Sequence, residues 1–302
     1  DRTRFIDGRR AIMGCAMQLD QRIHWSIDIR KISGTDDQVL VSAHAADSLK
    51  TASIGELFLL GETMRQSEAG RISLRDVIDR DHEQPDDAME DSGLLYMLDQ
   101  RTLTVADLGV LIGAFSDNYA TNLLIGHVGL DAVQRFAREE LGYTESNLLD
   151  KVRWERPSGV GLPDDMSRGC ASELCDYMCR LHRGDLVSED ASRQIRRWLA
   201  ADADTSMVSG AFNVDPLAHW PQDAGVALCH KTGTESDVRC DVGLVSVADT
   251  GVAVAWAVLA NWDKAAYGDL RDAALADMRR IGERIREIIS EPSGDWGASP
   301  WA

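Results

Sequence analysis

Strand-like segments lie at both ends of this 302-residue chain, and helical segments fill its middle. Apolar or alternating runs predict strands at 11–19, 24–32 and 39–45, and again at 226–230, 240–247 and 252–260. Apolar residues recur at helical spacing between 52 and 199, outside an irregular loop at 143–165, and the pattern at 273–289 predicts a closing amphipathic helix. Strands at the two ends of the chain imply one sheet that both ends build, with the helical middle inserted.

We therefore expect an α/β fold of the α+β sandwich type. An antiparallel sheet with flanking terminal helices would be formed by residues 1–47 and 206–302, and residues 48–205 would form an inserted all-helical domain. The active site would lie in the cleft between the two.

The net charge of −18 excludes two classes of partner. So acidic a protein repels phosphate backbones and anionic headgroups, so we expect neither nucleic acid nor a membrane surface as a partner. No apolar run approaches the roughly 18 residues of a transmembrane helix. A small-molecule substrate is expected, while the oligomeric state is left open. The first ten residues carry four arginines and no apolar run, which slightly favours a cytoplasmic location over secretion with the signal already removed.

The six cysteines give no metal or disulfide pattern. A chain of this length needs no disulfide staples, so free thiols are expected. Cys170, Cys175 and Cys179 lack C-x-x-C spacing and a matching histidine pair, which indicates small core residues on a helix rather than zinc ligands. We expect neither a metal nor a cofactor.

Three short motifs carry the chemistry: S-I-G-E at 53–56, S-D-N at 116–118 and K-T-G-T at 231–234. Acyl transfer by a serine needs a hydroxyl at a helix start, a base, an oxyanion hole and donors for the substrate. Ser53 precedes an apolar helical run and is the candidate nucleophile, with its own N–H and one that follows 231–233 as the oxyanion hole. The alternatives without catalysis are a capping box at 53–56, a helix cap at 116–118 and a surface turn at 231–233.

The motif set resembles the class A β-lactamase and penicillin-binding serine hydrolase family, whose signature is S-x-x-K, S-D-N and K-T-G. The resemblance covers nearly the whole chain and includes A-S before L-F-L-L at 52–60, S-G-L-L at 92–95, L-T-V-A-D-L at 103–108, S-D-N-Y-A-T-N at 116–122, and H-K-T-G-T with D-V-G at 230–243. One position departs from the signature: Glu56 stands where the family carries the lysine of S-x-x-K.

The resemblance implies a role for most residues of the second and third motifs. Ser116 would relay a proton to the leaving nitrogen, and Asn118 would hold the substrate and residue 56. Lys231 would supply positive potential, and Gly233 would let the substrate approach the strand closely. Thr232 and Thr234 would bind the substrate carboxylate.

Class A members also place a water-activating glutamate on a loop after S-D-N. The R-W-E run at 153–155 resembles that element, so Glu155 is the candidate hydrolytic base. The residues that follow do not continue the family pattern, and a solvated loop charge is the alternative.

Three hypotheses follow from Glu56. In the first, a serine acyl hydrolase or transferase acts on a carboxylate-bearing amide or β-lactam through a Ser53 acyl-enzyme, with Glu56, or Lys231 acting with Ser116, as base. A carboxylate needs a raised pKa for that task, because its ordinary pKa of about 4.3 lies far below neutral. In the second, the protein binds ligands without turnover. In the third, a biosynthetic enzyme uses Glu56 for non-hydrolytic proton transfer.

Overall fold

A computed structural model describes residues 18–32, 34, 37–80, 88–156, 161–218, 225–248 and 250–290. Ten strands and eight α-helices lie in these ranges. The strands are β1 (Ile23–Ile32), β2 (Gln38–Ala43), β3 (Leu49–Lys50), β4 (Val77–Asp79), β5 (Thr102–Thr104), β6 (Asn147–Leu148), β7 (Ser167–Gly169), β8 (Val226–Glu235), β9 (Val238–Val247) and β10 (Ala253–Trp262). The helices are α1 (Glu56–Glu68), α2 (Val105–Phe115), α3 (Asn118–Val128), α4 (Leu130–Arg135), α5 (Ala171–Arg183), α6 (Glu189–Leu199), α7 (Lys264–Tyr267) and α8 (Arg271–Ser290).

The two ends of the chain meet in one five-stranded sheet of order β2-β1-β10-β9-β8. All four neighbouring pairs are antiparallel, and Ile23 of β1 lies opposite Trp262 of β10. The expected fold class is confirmed: one antiparallel sheet built from both ends, with helices between. The division into domains at 47/48 and 205/206 stays a prediction.

Each face of the sheet contributes to a separate core. Successive side chains of a strand point to opposite faces, so on β10 Val254, Trp256 and Val258 pack with α8, whereas Ala255 and Ala257 pack against the helical middle of the chain. The small residues on the second face let helix α5 lie close to the sheet. Burial on both faces explains why the strand is one continuous apolar run in the sequence.

The elements that carry the motifs converge at the edge strand β8. A 3₁₀ turn, Ala52–Gly55, leads directly into α1. A Cβ on Gly233 of β8 would lie 2.2 Å from the carbonyl oxygen of Thr51. Only glycine therefore lets β8 pack this closely against the turn that carries Ser53.

The predicted helices and strands agree with the structure over most of their lengths, with the closing helix at 271–290 instead of 273–289. Most of the strand predicted at 11–19 lies outside the described residues. Five cysteines are described, and all five are buried free thiols, as expected; Cys15 lies outside the described part. Within the described ranges, no helix is long and apolar enough to cross a membrane.

Candidate active site

Ser53 lies on the 3₁₀ turn before α1 and is partly exposed, while its neighbours Ala52 and Ile54 are buried. Helix α1 begins at Glu56, and its N-cap is Gly55, without a side-chain cap. The capping-box alternative is therefore not what the structure forms. The serine is presented at the start of a buried helix, where the helix dipole favours negative charge.

The backbone before Ser53 is strained, and a hydrogen bond from Ser167 holds it in place. Ala52 has φ of +50°, in the left-handed region that alanine rarely adopts. Ser167 of β7 donates a 2.5 Å hydrogen bond to the Ala52 carbonyl and lies 2.7 Å from the Thr51 hydroxyl. A strained residue persists only where its surroundings fix it, and these buried hydroxyls supply that support next to Ser53.

Glu56 is fully buried, and its carboxylate is surrounded by donors. The Ser116 hydroxyl lies 3.2 Å from both carboxylate oxygens, and the Thr121 hydroxyl donates to Oε1 at 3.2 Å. The Lys231 ammonium lies 3.3 Å from Oε2. Among the described residues, no hydrogen bond joins Glu56 to Ser53, so Ser116 is the group that connects the carboxylate with the partly exposed part of the site.

Burial raises the pKa of Glu56, while the charge of Lys231 and the hydrogen bonds from Lys231, Ser116 and Thr121 oppose the rise. The balance leaves the pKa above its ordinary value. Lys231 is also fully buried, and its ammonium donates a second hydrogen bond, of 2.8 Å, to the Thr232 carbonyl. A raised carboxylate pKa is what a base near neutral pH requires, since efficient general bases titrate near the working pH.

The three residues of S-D-N have different partners. Ser116 ends α2 with φ of +49°, which turns its side chain to Glu56. Asp117 is buried and accepts from the backbone N–H groups of Leu94, Leu95 and Ala120, so it caps α3 and fixes the neighbouring loop. Asn118 donates to Asp91 Oδ1 at 2.9 Å. The expected contact of Asn118 with residue 56 is made instead by Thr121.

Alternation along β8 sorts the residues of the third motif onto two faces. Lys231 points towards Glu56, and Gly233 shares that face. Thr232, 5% exposed, points to the opposite face, and its N–H donates to Asp202. Thr234 is exposed at the end of the strand, where a ligand can reach it. Gly233 meets the Thr51 backbone, which gives this glycine a packing role besides the substrate contact expected from the sequence.

Glu155 is exposed next to Trp154, whose side chain is 61% exposed. Its neighbours Arg153 and Arg156 both bind the buried carboxylate of Asp150. Burial raises the pKa of Asp150, but the hydrogen bonds from the two arginines outweigh it and leave the pKa low. This ion cluster anchors the segment, and Glu155 extends from it as a surface charge.

Sequence reasoning missed two residues of the site, Thr121 and Ser167. Thr121 lies five positions after Ser116, on the helix that follows S-D-N. This spacing is the signal that could have found it. Ser167 belongs to a three-residue strand without any motif, and only the tertiary structure brings it to Ala52.

Comparisons with known proteins agree with this fold. A profile described as "Beta-lactamase enzyme family" matches residues 17–289. The chain is 24% identical to a β-lactamase from Sphaerobacter thermophilus DSM 20745, with a TM-score of 0.70 over 88% of this chain and 92% of that one. It is 18% identical to a β-lactamase from Burkholderia vietnamiensis, with a TM-score of 0.68 over 89% and 92% of the two chains.

A class A β-lactamase from Mycobacterium abscessus is 17% identical, with a TM-score of 0.65 over 87% of this chain and 93% of that one. A search of curated proteins finds no significant match. At these identities the solved structures establish the fold, whereas the profile extends over almost the whole chain. The protein therefore belongs to the β-lactamase enzyme family of serine hydrolases.

Proposed function

We propose that this protein is an active-site serine acyl hydrolase or acyltransferase in which Glu56 is the final proton acceptor. The observation that carries the proposal is the hydrogen bond from the partly exposed Ser116 to both oxygens of the buried Glu56 carboxylate. Lys231 is a weaker candidate base, because its side-chain nitrogen is already occupied by the ion pair with Glu56 and the hydrogen bond to the Thr232 carbonyl.

In the acylation step, one proton moves from Ser53 through Ser116 to Glu56. Ser53 Oγ attacks the carbonyl carbon of an amide or β-lactam, its proton passes to Ser116, and the Ser116 proton passes to Glu56. The C–N bond then breaks, and the leaving nitrogen takes a proton back from Ser116, which Glu56 replenishes. The acyl group stays on Ser53 until water or another acceptor removes it.

The substrate is proposed to carry a carboxylate that exposed Thr234 binds at the end of β8, with Asn118 as a further contact. Thr232, expected from the sequence to share this task, is buried and points to the other face of β8. Glu56 neutralises much of the Lys231 charge, because the two groups are buried 3.3 Å apart. Long-range attraction of an anion is thereby weaker than beside an unpaired lysine. Hydrogen bonds, rather than charge alone, would then set the orientation of the substrate.

Glu155 is proposed to activate the water that releases the acyl group. The proposal is supported by its exposure, which lets its carboxylate contact water. A Glu155→Gln variant should acylate at the normal rate and retain the adduct for longer. An unchanged lifetime of the adduct would instead assign Glu155 to the solvated surface.

The second candidate is reversible binding without turnover. The complete burial of both Glu56 and Lys231 favours this candidate, because an ion pair without solvent contact exchanges protons poorly. Such a protein would bind ligand equally well after Ser53→Ala. Non-hydrolytic proton transfer by Glu56 predicts a third pattern, in which activity survives Ser53→Ala and is lost in Glu56→Gln.

The experiment is the intact mass after incubation with a chromogenic β-lactam. Wild type is compared with Ser53→Ala, Glu56→Gln and Glu56→Lys, and Ser236→Ala, an exposed serine of the β8–β9 turn, is the matched control. An adduct in wild type and Ser236→Ala that is absent in Ser53→Ala and slowed in Glu56→Gln supports the proposal. An adduct in Glu56→Lys with none in wild type overturns it and means that the glutamate has switched acylation off.

A further inference from the structure

Three buried ionisable side chains form a second cluster behind β8. His230, Asp202 and Asp241 are 2%, 3% and 0% exposed. His230 Nδ1 lies 3.7 Å from Asp202 Oδ2 and 3.6 Å from Asp241 Oδ1. No step of the proposed acyl transfer uses these groups.

The cluster occupies the face of the sheet opposite Lys231. His230 lies across from Gly243, and Thr232 lies across from Asp241 in the β8–β9 register, so these side chains share one face. A Cβ on Gly243 would lie 2.8 Å from the His230 Cβ. The glycine therefore leaves room for the imidazole directly behind the catalytic strand.

The carboxylates of Asp202 and Asp241 accept hydrogen bonds from different segments of the backbone. Asp202 accepts from the Thr232 N–H at 3.2 Å and the Asp204 N–H at 3.0 Å. Asp241 accepts from the Ser209 N–H at 3.0 Å and the indole N–H of Trp256 at 2.9 Å. The orientation of both carboxylates is fixed by these donors, and both face the same imidazole nitrogen.

Two ionised carboxylates in a desolvated site repel each other unless a proton or a cation lies between them. His230 Nδ1 has no hydrogen-bond partner among the described residues, although it faces both carboxylates. A proton on this nitrogen places a positive charge between two negative ones. The geometry suits an imidazolium shared by the pair.

We propose that His230 is a positioning residue: as an imidazolium it bridges Asp202 and Asp241, and it thereby fixes the backbone of Thr232 and the position of Lys231 against Glu56. The effect on catalysis rests on the acyl-transfer function proposed above. The bridging itself is a property of the folded protein and can be measured without any substrate.

The balance of charges around His230 supports this assignment. Burial by itself lowers the pKa of the imidazole, but Asp202, Asp241 and Asp204 outweigh it, and the pKa is raised. Burial also raises the pKa of Asp202, so Asp202 and His230 both bind a proton more tightly than they would in water. The imidazole is the preferred place for it, because its ordinary pKa of about 6.5 lies well above the value of about 3.9 for an aspartic acid.

Further charges act on the cluster from outside it. Lys231 points to the other face of β8, and its charge opposes the rise in the pKa of Asp202 that burial causes. Asp204 adds negative charge that raises the pKa of His230. Because the pKa of His230 is raised in the folded state, its stabilising effect is complete below about pH 6.5 and is lost as the pH rises through the folded value.

The test follows His230 in the wild-type protein by NMR of labelled histidine rings between pH 5 and 9, with hydrogen exchange at the Thr232 N–H. His230→Gln assigns the signal, and His24→Gln, which changes an exposed histidine of β1, is the control. We expect His230 to titrate above the ordinary histidine pKa, and the protection of the Thr232 N–H to fall by roughly tenfold when the imidazolium is lost.

An imidazole that is neutral at pH 6, or protection of Thr232 that is unchanged across the titration and in His230→Gln, overturns the proposal. The rate of Ser53 adduct formation is measured over the same pH range. If no protein forms an adduct, the proposed function has failed while the NMR data still decide the bridge. If adduct forms and its rate is indifferent to His230, the positioning role is refuted.

Discussion

β8 separates two buried charge clusters that are built in different ways. On one face Glu56 is surrounded by Ser116, Thr121 and Lys231, whose donors are all side-chain hydroxyls or an ammonium. On the other face, the carboxylates of Asp202 and Asp241 accept mainly backbone N–H groups. Hydroxyl and ammonium donors can rotate and exchange protons, whereas backbone donors are fixed by the fold.

The difference indicates which cluster can do chemistry. A proton can leave Glu56 through Ser116, because that hydroxyl is both donor and acceptor and is partly exposed. No comparable exit leads from Asp241 through the described residues that hold it, which are an amide N–H and an indole N–H. The first face is therefore suited to proton transfer, and the second is suited to holding the strand in place.

The largest effect is expected from Glu56→Ala. The substitution leaves the fully buried Lys231 ammonium without its counter-ion, and such a loss typically costs about 3–5 kcal/mol of the free energy of unfolding. Urea denaturation measures this cost. The double variant Glu56→Leu with Lys231→Met removes both charges and should recover most of the stability. A cost below about 1 kcal/mol for the single change would show that water reaches the pair.

Amide substitutions separate the two faces more sharply. Asp241→Asn cannot accept from both the Ser209 N–H and the Trp256 indole in the same way, so we expect a loss of about 1–3 kcal/mol. Glu56→Gln keeps an oxygen that can accept from Lys231 but loses the counter-charge, so it should destabilise less than Glu56→Ala and should also slow Ser53 adduct formation. Urea unfolding and intact mass are measured for both variants. Equal effects of the two on both readouts would remove the distinction between the faces.

Two glycines of the sheet give a matched steric pair. A Cβ on Gly233 would lie 2.2 Å from the Thr51 carbonyl, and one on Gly243 would lie 2.2 Å from the Trp256 ring. Each alanine variant should lose about 1–3 kcal/mol through overpacking. Gly233→Ala should slow Ser53 adduct formation more than Gly243→Ala does, since it displaces the backbone that leads directly to Ser53.

The control for both is Gly126→Ala. Gly126 lies exposed on α3, and a Cβ added there would meet no described atom within 4 Å, so the change should raise stability by about 0.5–1 kcal/mol. Thermal unfolding and the adduct rate are measured for the three variants. A normal adduct rate in Gly233→Ala would mean that the Ser53 turn tolerates the shift of Thr51.

Periodicity in the sequence predicts most of this fold, because strand alternation and helical spacing reflect burial on one face. The motifs likewise give Ser53, Ser116 and Lys231 as candidates, and the structure brings Ser116 and Lys231 to Glu56. The position of Thr121 on the helix after S-D-N is a local signal, but no local pattern pairs it with Glu56, since it lies 65 positions away in the chain and Lys231 lies farther still. Both contact Glu56 only after the helices pack on β8. Asp202 lies in a loop without periodicity, and nothing local connects it with His230.

The pH dependence of acylation tests the two faces together. The acceptor must be ionised, so the rate of adduct formation should rise with pH by about tenfold per unit up to the pKa of Glu56 and then level off. Burial raises the pKa of Glu56, so this rise in rate should extend to a pH above the ordinary glutamate pKa of about 4.3. The His230 bridge acts in the opposite direction at higher pH, because loss of the imidazolium loosens β8. The two faces therefore predict a bell-shaped dependence of the acylation rate on pH. The acid limb should disappear in Glu56→Gln, and the alkaline limb should disappear in His230→Gln. A single variant that removes both limbs would show that the two clusters titrate as one unit.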